Sequence, residues 1–281
     1  MSDIEANDGV RKTVSLPLGG CVIHVKQDPL SGEHSQVVWD ASVCLVKYLE
    51  RNSTWLSHLM NKPGVGRGVV ELGSGCSGLC SVAAALLPSL SVASTSQPSS
   101  SSSSESEQEK VSNASASTRS RVVIATDKLT VLPSLSTNIA ATTGSLKVNA
   151  SCDIAEIRVR ALEWGCDEHI QSVIDEMETA CGGIGVVFAA DCVFDEHAVD
   201  SFVDSTARLC EGGATAVIAS ERRCERTRTR FESCMRSAGF SFRKVPTNRQ
   251  HASFMRPEIE IYIAKQSKRR HAGGVGNDNE T

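Results

Sequence analysis

The segment Val69-Val70-Glu71-Leu72-Gly73-Ser74-Gly75-Cys76-Ser77-Gly78-Leu79 limits the possible folds of this chain more than any other stretch. A short apolar run meets a glycine-rich turn, and a helical pattern follows from Gly78 to Leu87. Gly73 and Gly75 let the backbone turn sharply and approach a ligand with no Cβ in the way. A strand that feeds a helix through such a turn belongs to a parallel sheet covered on both faces. In that architecture ligands bind beyond the carboxyl ends of the strands.

The rest of the sequence repeats the alternation. Val14–Leu18 and Cys21–Gln27 read as a hairpin around Gly19-Gly20. Ala41–Glu50 reads as a helix with Asp40 as its N-cap. Strands are expected at Gly68–Leu72, Arg121–Thr126, Ile157–Leu162, Gly185–Ala190 and Ala214–Ser220. Helices are expected at Leu129–Ala141 (despite Pro133), Ile170–Thr179, His197–Leu209 and Arg222–Ser237. Phe240–Val245 and Ile259–Ala264 complete the sheet as an antiparallel edge pair. The fold class is α/β, doubly wound and mostly parallel.

Two stretches lack the apolar residues needed to offset the entropy of ordering. They are the serine-rich insert 91–120 and the tail from about Lys265, and disorder is expected in both. Lys268-Arg269-Arg270 in the tail is a weak import signal beside the plainer reading of a solvated end. The expected organisation is an extension with the hairpin at 1–35, one catalytic-size domain at 36–264, and a tail at 265–281. A net charge of -4 gives no general reason to expect nucleic-acid binding. No apolar run reaches 18 residues, and the acidic N-terminus is unlike a targeting peptide. The cysteines, 11 in all and with no Cys-x-x-Cys pair, read as reduced thiols, so no metal site is expected.

Gly73-x-Gly75-x-x-Gly78 also fits the dinucleotide fingerprint. Charge separates the readings: a carboxylate near the turn repels a pyrophosphate. Glu71 therefore favours S-adenosylmethionine, which carries an ammonium and a sulfonium. Asp127 ends the strand RVVIATD, where a carboxylate accepts both ribose hydroxyls, with a helix cap as its alternative role. Removing residues 91–120 brings its distance from Glu71 to an ordinary value. Trp39 and Trp164 offer rings for adenine stacking or cation–π contact, or else serve the core or rim.

Together these residues resemble the seven-β-strand protein-lysine methyltransferases, methyltransferase family 16. Within that family the members that modify valosin-containing protein and chaperones are nearest in likeness. The matching segments run in order from Val38-Trp39-Asp40-Ala41 and Lys47-Tyr48-Leu49-Glu50 through Glu71-Leu72-Gly73-Ser74-Gly75, Asp127 and Asn138. They continue through Leu162-Glu163-Trp164-Gly165, Ala189-Ala190-Asp191-Cys192-Val193-Phe194 and Glu221-Arg222-Arg223 to Ile261-Tyr262. The resemblance implies a Rossmann-like class I fold with seven strands. It implies a cofactor site at Trp39, Glu71, Gly73, Ser74, Gly75, Asp127, Trp164 and Ala190. It also implies protein partners among chaperones or assembly ATPases, and a cytoplasmic or nuclear location.

A lysine, with pKa ~10.4, has no free lone pair at neutral pH. The site must hold the ammonium, let a proton leave and keep the amine aimed. Asp191, just after GVVFAA, is the candidate for that task, with a solvated or capping aspartate as its plainer role. Phe194 stands where the resembling enzymes usually carry tyrosine, so its ring can wall a lysine channel but cannot hydrogen-bond the amine. Cys192 is expected in a buried wall. The basic run Glu221–Arg230 reads either as a docking face or as a solvated helix of Glu–Arg pairs, and the second is preferred. Other functions remain open: methyl transfer to a small molecule or nucleic-acid base, or a non-enzymatic cofactor-binding module. A monomer is expected.

Overall fold

The computed structural model describes residues 4–6, 12–93, 121–150 and 154–267. Strands β1 (Ile4–Ala6), β2 (Lys12–Leu18) and β3 (Cys21–Gln27) form a small antiparallel sheet. Helices α1 (Asp40–Arg51) and α2 (Ser53–Met60) lead to β4 (Gly68–Leu72) and α3 (Leu79–Ala93). There follow β5 (Val122–Asp127), α4 (Leu132–Ala150), β6 (Glu156–Ala161), α5 (Asp167–Cys181) and β7 (Ile184–Ala190). The chain continues through α6 (Val199–Cys210), β8 (Thr215–Glu221), α7 (Glu225–Ser237), β9 (Phe240–Lys244) and β10 (Ile259–Gln266).

The main sheet has seven strands in the order β6-β5-β4-β7-β8-β10-β9. The first five are parallel, and β10 runs antiparallel to both β8 and β9. This is the doubly wound sheet with an antiparallel edge pair that the sequence implies. Strand order reverses between β4 and β7, the place where sheets of this topology take a ligand beyond the carboxyl ends. The register lines these ends up: Leu72 pairs with Ala189, Asp127 with Ala161, and Ala190 with Ala219.

Side chains alternate across each strand and sort into two apolar layers. Val69, Val186, Phe188, Val217 and Ala219 join α1, α2, α3 and α4 on one face. Val70, Leu72, Val187, Ala189, Ala216 and Ile218 join α5, α6 and α7 on the other. Leu16, Leu18, Ile23 and Val25 of the β2–β3 hairpin belong to the first layer, so the hairpin shares the core of the main sheet. A buried clamp holds it. Lys47 donates to Glu50 at 2.7 Å and to the carbonyl of Pro17, and the Gly19 N–H donates to Glu50 at 2.6 Å.

Several expectations are corrected. Asp40 is the first helical residue of α1 rather than its N-cap; Trp39 holds the cap position, with no side-chain cap bond. Helix α4 starts at Leu132, not Leu129, because a turn closes from Val131 N–H to Lys128 O, which puts Pro133 in the first turn, where its missing N–H costs nothing. Helix α7 starts at Glu225 rather than Arg222, after the extended Cys224. Helix α2 and strand β1 carry too few residues to show a period. The serine insert was expected from residue 91, but 91–93 close α3; its remainder, 94–120, lies outside the described residues. Likewise Lys265 and Gln266 belong to β10, and Lys268-Arg269-Arg270 lies outside the described residues.

Candidate active site

The turn after β4 is built from the strand below it. Gly73 and Gly75 have φ of 63° and 58°, left-handed values that favour glycine. A Cβ on Gly73 would come within 2.7 Å of Cys192 Sγ and 3.0 Å of Trp164, so the loop packs tightly against the β7 and β6 tips. Ser74 stitches it to β5: its N–H donates to Thr126 O at 2.9 Å, and its Oγ accepts the Thr126 N–H at 3.1 Å. The segment before α1 covers the turn, with the Cys76 N–H donating to Ser35 O at 2.6 Å. Asn138 pins the same region by donating to Lys26 O and Cys76 O, both at 2.8 Å.

Alternation along β4 turns Glu71 to the same side as Val69, toward α3, and it is buried. Its carboxylate accepts the Cys80 N–H at 3.2 Å, the Ser81 N–H at 2.8 Å and the Ser81 hydroxyl at 2.6 Å. Burial raises its carboxyl above the ordinary range, outweighing those hydrogen bonds. In this structure the carboxylate serves as a cap on α3. That cap bears on the dinucleotide question more directly than repulsion does. A pyrophosphate needs the free N–H groups at the start of the helix, and an internal carboxylate already holds those of Cys80 and Ser81.

Asp127 stands at the carboxyl end of β5, beside the glycine turn. Its Oδ2 accepts the Gly75 N–H and its Oδ1 accepts the Lys128 N–H, each at 2.8 Å. It caps no helix, since α4 begins five residues later. Each carboxylate oxygen keeps lone-pair capacity for a ribose hydroxyl. The residues present thus fit an adenosine-bearing cofactor. Burial raises the Asp127 carboxyl above the ordinary range, and the two N–H groups oppose the shift. Affinity for S-adenosylhomocysteine should accordingly fall on mild acidification, as the carboxylate protonates and loses acceptor capacity. Asp127→Asn should bind weakly with a flat pH profile. Calorimetric titrations at stepped pH check both.

Asp191 follows β7 and is the only non-glycine residue with positive φ, 59°, among those described. Such a conformation costs roughly 1–2 kcal/mol, and local hydrogen bonds hold it. The Asp191 N–H donates to Ala219 O at 2.8 Å, and the Glu221 N–H donates to Asp191 Oδ1 at 3.4 Å. The expected partner of this carboxylate is a substrate amine nitrogen. Instead Arg223 Nη2 lies 2.6 Å from Asp191 Oδ2 and 2.6 Å from Glu221. The guanidinium also sits 5.0 Å over the Trp39 ring.

The aromatic residues form a layered rim. His34 stacks on Trp39 at 6.0 Å and on Phe194 at 6.0 Å, and the Trp39 indole N–H donates to His34 O at 2.9 Å. Phe194 is 48% exposed, available to an incoming side chain. Trp164 stands apart, edge-on to Phe202 at 5.2 Å and beside Gly73. Ala190 is the half-buried last residue of β7. Cys192 donates to Leu72 O at 3.3 Å, and burial raises its thiol far above the ordinary range, which suits a wall and not a nucleophile.

Trp39, Phe194, Asp191, Gly75 and Asp127, all expected from the sequence, meet at one end of the sheet. His34, which no motif marks, and the pairing of Arg223 were not expected. Along α7 the arginines are matched by acids: Arg226 with Glu196, Arg228 with Glu225 and Glu232, Arg230 with Asp200, and Arg236 with Glu232. That pairing is the solvated-face pattern. Among the described residues no group of three or more metal-ligating side chains converges.

Solved structures offer distant likenesses. A 16S rRNA methyltransferase of T. thermophilus, in complex with AdoMet and guanosine, has a TM-score of 0.49 and 16% identity. The match covers 94% of this chain and 52% of that one, so this chain spans about half of its length. Human N-acetylserotonin methyltransferase in complex with SAM has a TM-score of 0.40 and 10% identity, over 80% of this chain and 54% of that one. Magnesium protoporphyrin IX methyltransferase from Synechocystis, with bound SAM, has a TM-score of 0.40 and 13% identity, over 85% and 88%. Comparison with curated proteins returned no match. The sequence profile of the lysine methyltransferase family matches residues 20–118 and 110–237, which spans most of the described fold. The chain belongs to the lysine methyltransferase family.

Proposed function

We propose that this protein transfers methyl groups from S-adenosylmethionine to a lysine side chain of a protein substrate. The observation that carries the reading is the Asp191 carboxylate, buried at the tip of β7 and holding a cation at the carboxyl end of the sheet. S-adenosylmethionine, when bound, supplies the methyl group. The chain's own residues do the rest. Asp127 and the Gly73–Gly75 turn hold the adenosine end. Asp191 accepts a hydrogen bond from the amine, which fixes the direction of its lone pair once a proton has left to water. Phe194 and Trp39 flank the path with aromatic faces, which favour an ammonium as it enters. With the cofactor bound, its methyl group would pass to the amine nitrogen, and the charge would balance with the lysine proton lost to water.

We place the substrate among chaperones and assembly ATPases, and the protein in the cytoplasm or nucleus as a monomer. Resemblance of the ordered segments supports the partner class and the location. The test is incubation of the full chain with tritiated S-adenosylmethionine and a cell lysate, followed by nuclease or protease treatment. The label is expected to resist nuclease and to appear as methyl-lysine after hydrolysis. Label released by nuclease, or found only in small molecules, overturns the reading.

A further inference from the structure

Arg223 makes the contacts that a substrate ammonium needs. It bonds the Asp191 carboxylate at 2.6 Å and lies over an aromatic face at 5.0 Å. The Asp191 side chain is 4% exposed, so no external cation reaches it while Arg223 stays in place. Arg223 is itself 34% exposed and has a way out toward solvent. A second acid, Glu221, already bonds the same nitrogen and is 35% exposed. Arg223 can therefore leave Asp191 without becoming an unpaired charge, the costly alternative. The three-residue connection that carries it, Arg222 to Cys224, is fixed up to the arginine itself. The Arg222 N–H donates to Glu258 O at 2.8 Å, and the Arg223 N–H donates to Glu221 O at 3.0 Å. Only the side chain needs to move.

We propose that Arg223 is a specificity-determining residue of the amine site: its guanidinium holds Asp191 and the Trp39 face until a substrate alkylammonium takes its place, and it then rests on Glu221. This rests on the role given to Asp191 above. An arginine is always charged, so the exchange swaps one cation for another and disfavours neutral side chains. Apparent affinity for any amine is lowered by the fraction of protein in which Arg223 has moved aside. A free amine has only that one contact to offer, whereas a docked protein adds binding from its remaining surface. The arginine thus favours lysines presented by a protein over small amines.

The test uses the full chain saturated with S-adenosylhomocysteine and titrated with n-butylammonium chloride, with n-butanol as the neutral control. Arg223→Ala and Arg223→Gln should bind n-butylammonium roughly tenfold tighter than wild type. Glu221→Gln should bind it about threefold weaker, because Arg223 loses its alternative partner. Butanol affinity should stay the same throughout. If both Arg223 variants keep wild-type affinity for S-adenosylhomocysteine yet bind n-butylammonium no tighter than wild type, the role assigned to Arg223 is wrong. That outcome together with methyl-lysine formation by wild type leaves the proposed function standing. Tighter amine binding by the variants with no transfer from wild type has the opposite meaning.

Discussion

Asp191→Ala is expected to lower methyl transfer about 10²- to 10³-fold while leaving S-adenosylhomocysteine affinity within a factor of about two. The size follows from what the carboxylate does. It holds a nitrogen in line, and misplacing a reacting atom by about 1 Å can cost 10²-fold. The cofactor contacts lie on other elements, at Asp127 and the Gly73–Gly75 turn, so binding is spared. Removing the side chain leaves Arg223 with Glu221 as partner at 2.6 Å and still over the Trp39 ring. Asp191→Asn keeps the hydrogen-bonding shape but not the charge, and it should fall between wild type and alanine. Single-turnover rates with a lysine-containing protein substrate check the order. Equal rates for wild type and alanine remove Asp191 from the mechanism.

Glu71→Ala is expected to destabilise the fold by about 3 kcal/mol, more than the loss of an exposed helix cap. Three donors lose their acceptor: the N–H groups of Cys80 and Ser81 and the Ser81 hydroxyl, all in buried surroundings. Each orphaned buried donor costs roughly 1–3 kcal/mol, and partial relaxation reduces the sum. The first turn of α3 and the glycine turn loosen together, so cofactor affinity should weaken as well. Urea unfolding gives the stability change. An unfolding midpoint equal to that of wild type contradicts the capping role.

The sheet was readable because its strands are short apolar runs separated by helical periods, and β4 was bounded at Gly68 and Leu72 from the sequence alone. Edges blurred where the decision belongs to tertiary contacts, as at the start of α4, which a turn at Lys128–Val131 fixes. The site was legible in its positions and less so in its directions. Glu71 was placed at the right strand end, yet its carboxylate points to α3, a consequence of alternation with Val69 that the motif does not display. Arg223 stands in the matching segment Glu221-Arg222-Arg223, but its ion pair spans 32 residues of sequence, and no local pattern encodes such a contact. His34 carries no periodic signal at all. Its place in the rim follows from the covering segment before α1, which meets the glycine turn through Ser35.

The central claim is that the glycine turn serves a cationic adenosine cofactor because a buried carboxylate already fills the anion site at the start of α3. Isothermal calorimetry of the full chain with S-adenosylmethionine, S-adenosylhomocysteine and NAD tests it most directly. Binding of the first two at one site, its loss in Asp127→Ala, and no heat from NAD are the predicted result. Uptake of NAD without uptake of either sulfur compound would contradict it.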